Sequence, residues 1–142
     1  MHITYEKLAD RHLKEMYEIR FSVTENRLHA HQIRYLQREQ ALDDIRQGGG
    51  WIANVDDEYV GYGLGIYAPD PLIGGLFIKP AFQRLGIGSQ LLENITDWFR
   101  QQQARSMMLT TDTGSPAERF YEKHGWRAAG TDEYGQRIMR KP

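Results

Sequence analysis

The sequence predicts one α/β domain, on three observations. A chain of 142 residues suits a single compact unit with a sizeable core and is too short for two enzyme domains. Apolar residues make up 40% of it and charged residues 26%, ordinary proportions for a globular protein. Along the chain, β-rich runs alternate with apolar stripes at helical spacing, in the order strand, helix, helix, hairpin, strand, helix, strand, helix, strand, strand.

Residues 2 to 8 read as a short strand. Asp10 is then placed to cap a helix whose buried stripe is Leu13, Met16, Tyr17 and Phe21. After a loop from Thr24 to Ala30, the residues Ile33, Leu36, Leu42 and Ile45 keep helical phase until Gly48-Gly49-Gly50 ends the second helix. Trp51 to Val55 and Tyr59 to Tyr67 are β-rich runs joined by Asp56-Asp57-Glu58, a tight hairpin connection. Gly61, Gly63 and Gly65 share one face of the second run, leaving it bare either for a close-packed helix, the favoured reading, or for a ligand.

Leu72 to Ile78 is a further strand that Lys79-Pro80 ends, and its Gly74-Gly75 pair predicts a bulge or splay. A helix beginning near Gly86 carries Ile87, Leu91, Leu92, Ile95, Trp98 and Phe99 on one stripe. Met107 to Thr111 is a short buried strand, expected to run parallel to the previous one. Ser115-Pro116-Ala117-Glu118 combines a capping serine, proline in the first turn and a capping-box glutamate, so the next helix starts at Ser115 and stops at Gly125. Strands at Trp126 to Ala129 and Arg137 to Arg140 finish the sheet.

Charge and composition narrow the function classes. Eighteen Lys and Arg against 19 Asp and Glu leave a net charge of −1, so no bulk positive field draws a nucleic acid. With no cysteine there is neither a disulfide framework nor a thiol nucleophile. No apolar run has the length of a membrane span, and a cytoplasmic location is the default expectation. The five histidines show no metal-site spacing, and no metal is expected.

The chemistry concentrates between Leu76 and Leu92. A strand gives way to Gln83-Arg84-Leu85-Gly86-Ile87-Gly88-Ser89 and then to an amphipathic helix. Such a turn aims free backbone amides and the positive end of the helix dipole outward, and Arg84 can add a charge-assisted hydrogen bond, which suits a polyphosphate. A P-loop would need Gly-Lys-Ser/Thr, and a dinucleotide fingerprint would need glycine where Leu91 stands.

Leu76-Phe77-Ile78-x-Pro80 followed by Gln83-x-x-Gly86-x-Gly88 resembles the first motif of the GNAT family of N-acetyltransferases, and Ala117-x-x-Phe120-Tyr121-x-x-x-Gly125-Trp126 resembles a later one. The likeness covers residues 50 to 140 best. It implies a mixed, mainly antiparallel twisted sheet of about six to seven strands, splayed at a central parallel pair, with about four helices on its two faces. It also implies acetyl-CoA as co-substrate and a small-molecule or peptide amine as acceptor, and it admits a homodimer. By position, the backbone of Leu76, Phe77 and Ile78 would pair with the pantetheine arm, and the amides of Arg84, Leu85, Gly86, Ile87, Gly88 and Ser89 would hold the pyrophosphate. Tyr121 would be the acid that protonates the departing thiolate.

Where the family often has asparagine three residues before the alanine, this chain has Gly114, which leaves Ser115 or the Thr111 backbone as substitutes. Lys123 is placed to approach the 3′-phosphate. The amine must lose a proton before it attacks; Glu25 is the first candidate for the base and Asp112 the second, with His29, His31 and Tyr134 nearby in the reading of the pocket. The competing expectation is an acyl-CoA-binding regulatory module without catalysis.

Overall fold

The computed structural model describes residues 1 to 24 and 28 to 142. Its centre is one seven-stranded sheet: β1 (Ile3–Lys7), β2 (Gly49–Val55), β3 (Glu58–Tyr67), β4 (Pro71–Ile78), β5 (Met107–Thr111), β6 (Arg127–Thr131) and β7 (Arg137–Lys141), in the spatial order β1-β2-β3-β4-β5-β7-β6. Neighbours are antiparallel except β4 and β5. That pair meets at one position only, Leu72 beside Met108, so the sheet splays beyond it.

The expected bulge is there. Leu64 lies opposite Gly75 and Gly65 opposite Ile73, which leaves Gly74 without a partner on β3. At the other end of β3, Asp56 and Asp57 both take positive φ, the geometry a tight hairpin needs, and Asn54 Oδ1 accepts from the Asp57 amide at 2.9 Å.

Helices α1 (Leu13–Ser22) and α2 (Arg38–Arg46) cover one face of the sheet, where Leu13, Met16, Ile19, Leu42 and Ile45 pack on Tyr62, Leu64 and Ile66. Helices α3 (Ile87–Gln101) and α4 (Pro116–Lys123) serve the other, where Leu92, Ile95 and Phe99 meet Met107, Leu109, Trp126 and Met139. The bare glycine face is helix packing. A Cβ on Gly63 would stand 2.7 Å from Ile95 Cδ1, and one on Gly65 the same distance from Ile95 Cγ2. α3 therefore sits almost on the backbone of β3, and it ends up directly beneath the loop that precedes it.

The first third departs from expectation. Ala9, in extended conformation, caps a short 3₁₀ turn, Asp10–His12, so Asp10 is inside the turn and its side chain instead meets Arg46 at 2.7 Å. The buried stripe of α1 is Leu13, Met16, Ile19 and Arg20. Phe21, one step of about 100° beyond Arg20, is turned away and 60% exposed. The second helix is not continuous: a 3₁₀ segment, Ala30–Leu36, stops at extended Gln37 (ψ 137°) before α2 starts. Tyr17 donates to Leu36 O at 2.7 Å and pins that segment across a cavity mouth, which leaves Ile33 exposed. Only Gly48 (φ +94°) ends α2; Gly49 and Gly50 pair with Gly65 and Leu64 in β2.

Candidate functional site

The loop between β4 and α3 is built for an anion. Arg84 (φ +66°) and Gly86 (φ +84°) adopt left-handed conformations on either side of Leu85, an alternation that curls successive amides round one concavity. The backbone N–H groups of residues 84 to 89 donate to no group among the described residues; Gln90 is the first to find a carbonyl, Gly86 O at 3.1 Å. These orphan donors coincide with the positive end of a 15-residue helix. The Arg84 guanidinium is exposed and unpaired among the described residues.

The Ser89 hydroxyl has another duty. His124 Nδ1 donates to Phe120 O at 2.8 Å, which makes its Nε2 the acceptor for Ser89 Oγ–H at 2.9 Å. This bridge ties α3 to the end of α4 and leaves Ser89 only its amide for the loop. Nothing in the local sequence marked His124. The available signal was its four-residue spacing from Phe120, whose ring it meets at 4.4 Å. Lys123, in the last turn of α4, is exposed and unpaired among the described residues.

From this loop back to the splay, β4 has an edge with no strand partner among the described residues, where Ile78 O accepts from Gln83 Nε2 at 3.1 Å. Leu76, Phe77 and Ile78 pair with Gly63, Tyr62 and Gly61 on the β3 side, and none of them has a β5 partner. An extended guest with amide groups can therefore add to β4 as a strand would. The gap opens into a cavity of about 370 Å³ lined on one side by β4 and on the other by Met108 to Asp112.

Tyr121 and Ala117, from α4, also line this cavity. Tyr121 is 7% exposed, held edge-on between Phe120 and Trp126 at 5.3 and 5.9 Å. Burial pushes its hydroxyl well above the ordinary phenol value, so it stays protonated at any physiological pH. That hydroxyl has no hydrogen-bond partner among the described residues. Ser115 caps α4: its oxygen accepts from Glu118 N at 3.1 Å and donates to Asp112 O at 2.6 Å, which leaves its hydroxyl committed to the turn.

On the opposite side of the splay, residues far apart in sequence converge. His29 Nε2 lies 2.9 Å from Asp112 Oδ1, the same oxygen accepts from Gln136 Nε2 at 3.3 Å, and Gln136 Oε1 meets His31 Nε2 at 3.3 Å. His31 stacks on Tyr134 with ring centroids 3.7 Å apart. Asp112, His31, Tyr134 and Gln136 all line the cavity. Buried Gln136 had no mark in the sequence; it is the linker that makes one chain of the two histidines and the aspartate. Arg20 stands over the Phe77 ring at 4.3 Å and also lines the cavity. Glu25 lies outside the described residues. Among the described residues no group of three His, Cys, Asp or Glu is arranged to hold a metal, and no helix is long and apolar enough to cross a membrane.

Solved structures share this fold at low identity. PaiA N-acetyltransferase from Thermoplasma acidophilum, in complex with coenzyme A, superposes with a TM-score of 0.81 at 20% identity over 99% of both chains. Naa50 from Arabidopsis thaliana, in complex with the bisubstrate analogue CoA-Ac-MVNAL, gives 0.76 at 18% identity over 100% of this chain and 99% of the other. The ribosomal-protein-S18-alanine N-acetyltransferase from Escherichia coli gives 0.75 at 17% over 99% and 94%. These likenesses establish the fold. No curated protein matches the chain in sequence. The model of the Acetyltransferase (GNAT) family matches residues 12 to 126, most of the length and both motif regions, and the chain belongs to that family.

Proposed function

We propose that this chain transfers the acetyl group of acetyl-CoA to a primary amine. The observation that carries the reading is a continuous one: a β4 edge without a strand partner leads from a cradle of unpaired amides to a cavity lined by both a buried, protonated tyrosine and a hydrogen-bonded carboxylate. Acetyl-CoA, when bound, supplies the thioester, and coenzyme A is its thiolate leaving group.

In this reading the amides of Arg84 to Ser89 and the Arg84 guanidinium hold the pyrophosphate. The backbone of Leu76, Phe77 and Ile78 orients the extended arm, with one amide placed to polarise a carbonyl. Tyr121 supplies the proton to sulfur. Asp112, with His29 behind it, takes the proton from the ammonium.

Thiol release from acetyl-CoA over a panel of amines tests the activity, and binding without turnover on every amine would overturn it. Tyr121→Phe removes a proton donor and little contact area, so kcat falls by about 10²- to 10⁴-fold while the dissociation constant of acetyl-CoA holds. Equal loss in both would make Tyr121 a packing residue. Asp112→Asn lowers kcat/KM for the amine by about 10²-fold; an unchanged value removes Asp112 from the proton's path.

A further inference from the structure

Asp44 has no task in the scheme above, and its position is costly. It lies in the last turn of α2, where the helix dipole presents its negative end. It is only 5% exposed. Its one hydrogen bond comes from Gln40 Nε2 at 2.9 Å, and no described cation pairs with it. Burial raises its pKa, a sign that the charge is poorly compensated within the protein. Yet the residue lines the same cavity as Asp112, set among Met16, Ala41, Leu64, Ile66 and Ala68. A nearly buried carboxylate that lines this cavity beside aliphatic side chains, with no cation of the described residues paired to it, is a receptor for a cation.

The distance between the two ends of the chamber selects the shape of that cation. Gln47, three residues after Asp44, accepts from the Tyr67 amide at 2.7 Å, which puts the Asp44 end of the cavity at Ile66 and Ala68, whereas the splay opens at Leu76 and Phe77, the latter opposite Tyr62 on β3. Ile66 and Tyr62 are four residues apart on one strand, about 13 Å at ~3.3 Å per residue. We propose that Asp44 binds a second ammonium group of the acceptor, whose reacting amine reaches the splay at the far end of an aliphatic chain: the substrate is a linear diamine or polyamine. This rests on the acetyl-transfer reading. Arg20 and Arg34 line the Tyr62 end and the mouth, so an amine that carries a carboxylate is the competing chemistry.

The test compares kcat/KM for cadaverine, for pentylamine of the same carbon length and for ε-aminocaproate, in the wild type and in Asp44→Asn. The expected result is a wild-type preference for cadaverine over pentylamine of about tenfold or more, the scale of one charge-assisted hydrogen bond, with the ratio collapsing toward one in Asp44→Asn. A wild-type ratio near one, a preference for ε-aminocaproate, or a ratio that survives Asp44→Asn overturns the assignment. If the variant fails to fold, the wild-type ratio alone decides. Calorimetric titration of cadaverine into the protein with coenzyme A present separates this idea from the reading beneath it. Were no amine acetylated, the acetyl-transfer reading would fail, while cadaverine binding that Asp44→Asn abolishes would still support the cation site and its absence would overturn it.

Discussion

Arg84 and Gly86 reach the left-handed region for different ends. At Gly86 a side chain would meet nothing within 4 Å, so the requirement is purely conformational, whereas at Arg84 the strain is borne by a residue whose charge faces outward. Gly86→Ala therefore costs about 1 kcal/mol of stability or opens the curl, and either result weakens coenzyme A binding. Arg84→Ala leaves the melting temperature nearly unmoved, lowers coenzyme A affinity and flattens its dependence on salt, all readable by titration at two ionic strengths. A Cβ on Gly88 would rest 3.5 Å from Phe120 Cζ, an ordinary contact directed at α4 and not at the loop's concavity. So of the two motif glycines, Gly86 supplies the curl, while at Gly88 the packing leaves room for a Cβ. Their spacing in the sequence marked the loop but could not tell them apart.

At the scale of elements, α3 shows what patterning makes legible. A stripe of Ile87, Leu91, Leu92, Ile95 and Phe99, read with the glycines of β3, already described a helix lying close on a strand, and the packing is as expected. Gly65→Ala should therefore fail to fit: its Cβ would stand 2.7 Å from Ile95 Cγ2 and 2.9 Å from the Phe99 ring, both residues fully buried. The expected loss is about 1 to 3 kcal/mol, seen as a lowered melting temperature. The segment from Ala30 to Leu36 was less legible because its apolar residues keep a helical phase while serving a cavity mouth, where Ile33 has no sheet to pack on. The acceptor side was legible only as scattered candidates. Asp112 and His29 are 83 positions apart, and their meeting depends on how the splay and the 3₁₀ segment face each other, which no local pattern encodes.

Across the whole molecule, two carboxylates on different sides of the sheet set opposite trends of stability with pH. Glu118 accepts from the Gly114 amide at 3.0 Å and from Arg137 Nε at 3.0 Å, and these partners, the amide first, hold its pKa below the ordinary 4.5. A carboxyl depressed in the folded state stabilises the fold above its unfolded pKa and loses that contribution as pH falls through the folded value. Asp44 is the reverse. Burial raises its pKa above the ordinary 3.8, so the unfolded chain ionises first as pH rises, and the residue works against folding at neutral pH but not below its unfolded pKa. Glu118→Gln should then lower the melting temperature at about pH 7 and have little effect by about pH 3, while Asp44→Asn should raise it at about pH 7 and lose that advantage over the same range. Melting curves of the wild type and both variants at the two pH values decide it. Differences of the same sign, or ones that do not change with pH, would mean that neither carboxyl carries the linkage assigned to it. If the signs are opposite as expected, Asp44 is a group retained against stability, the trade that a residue kept for binding makes.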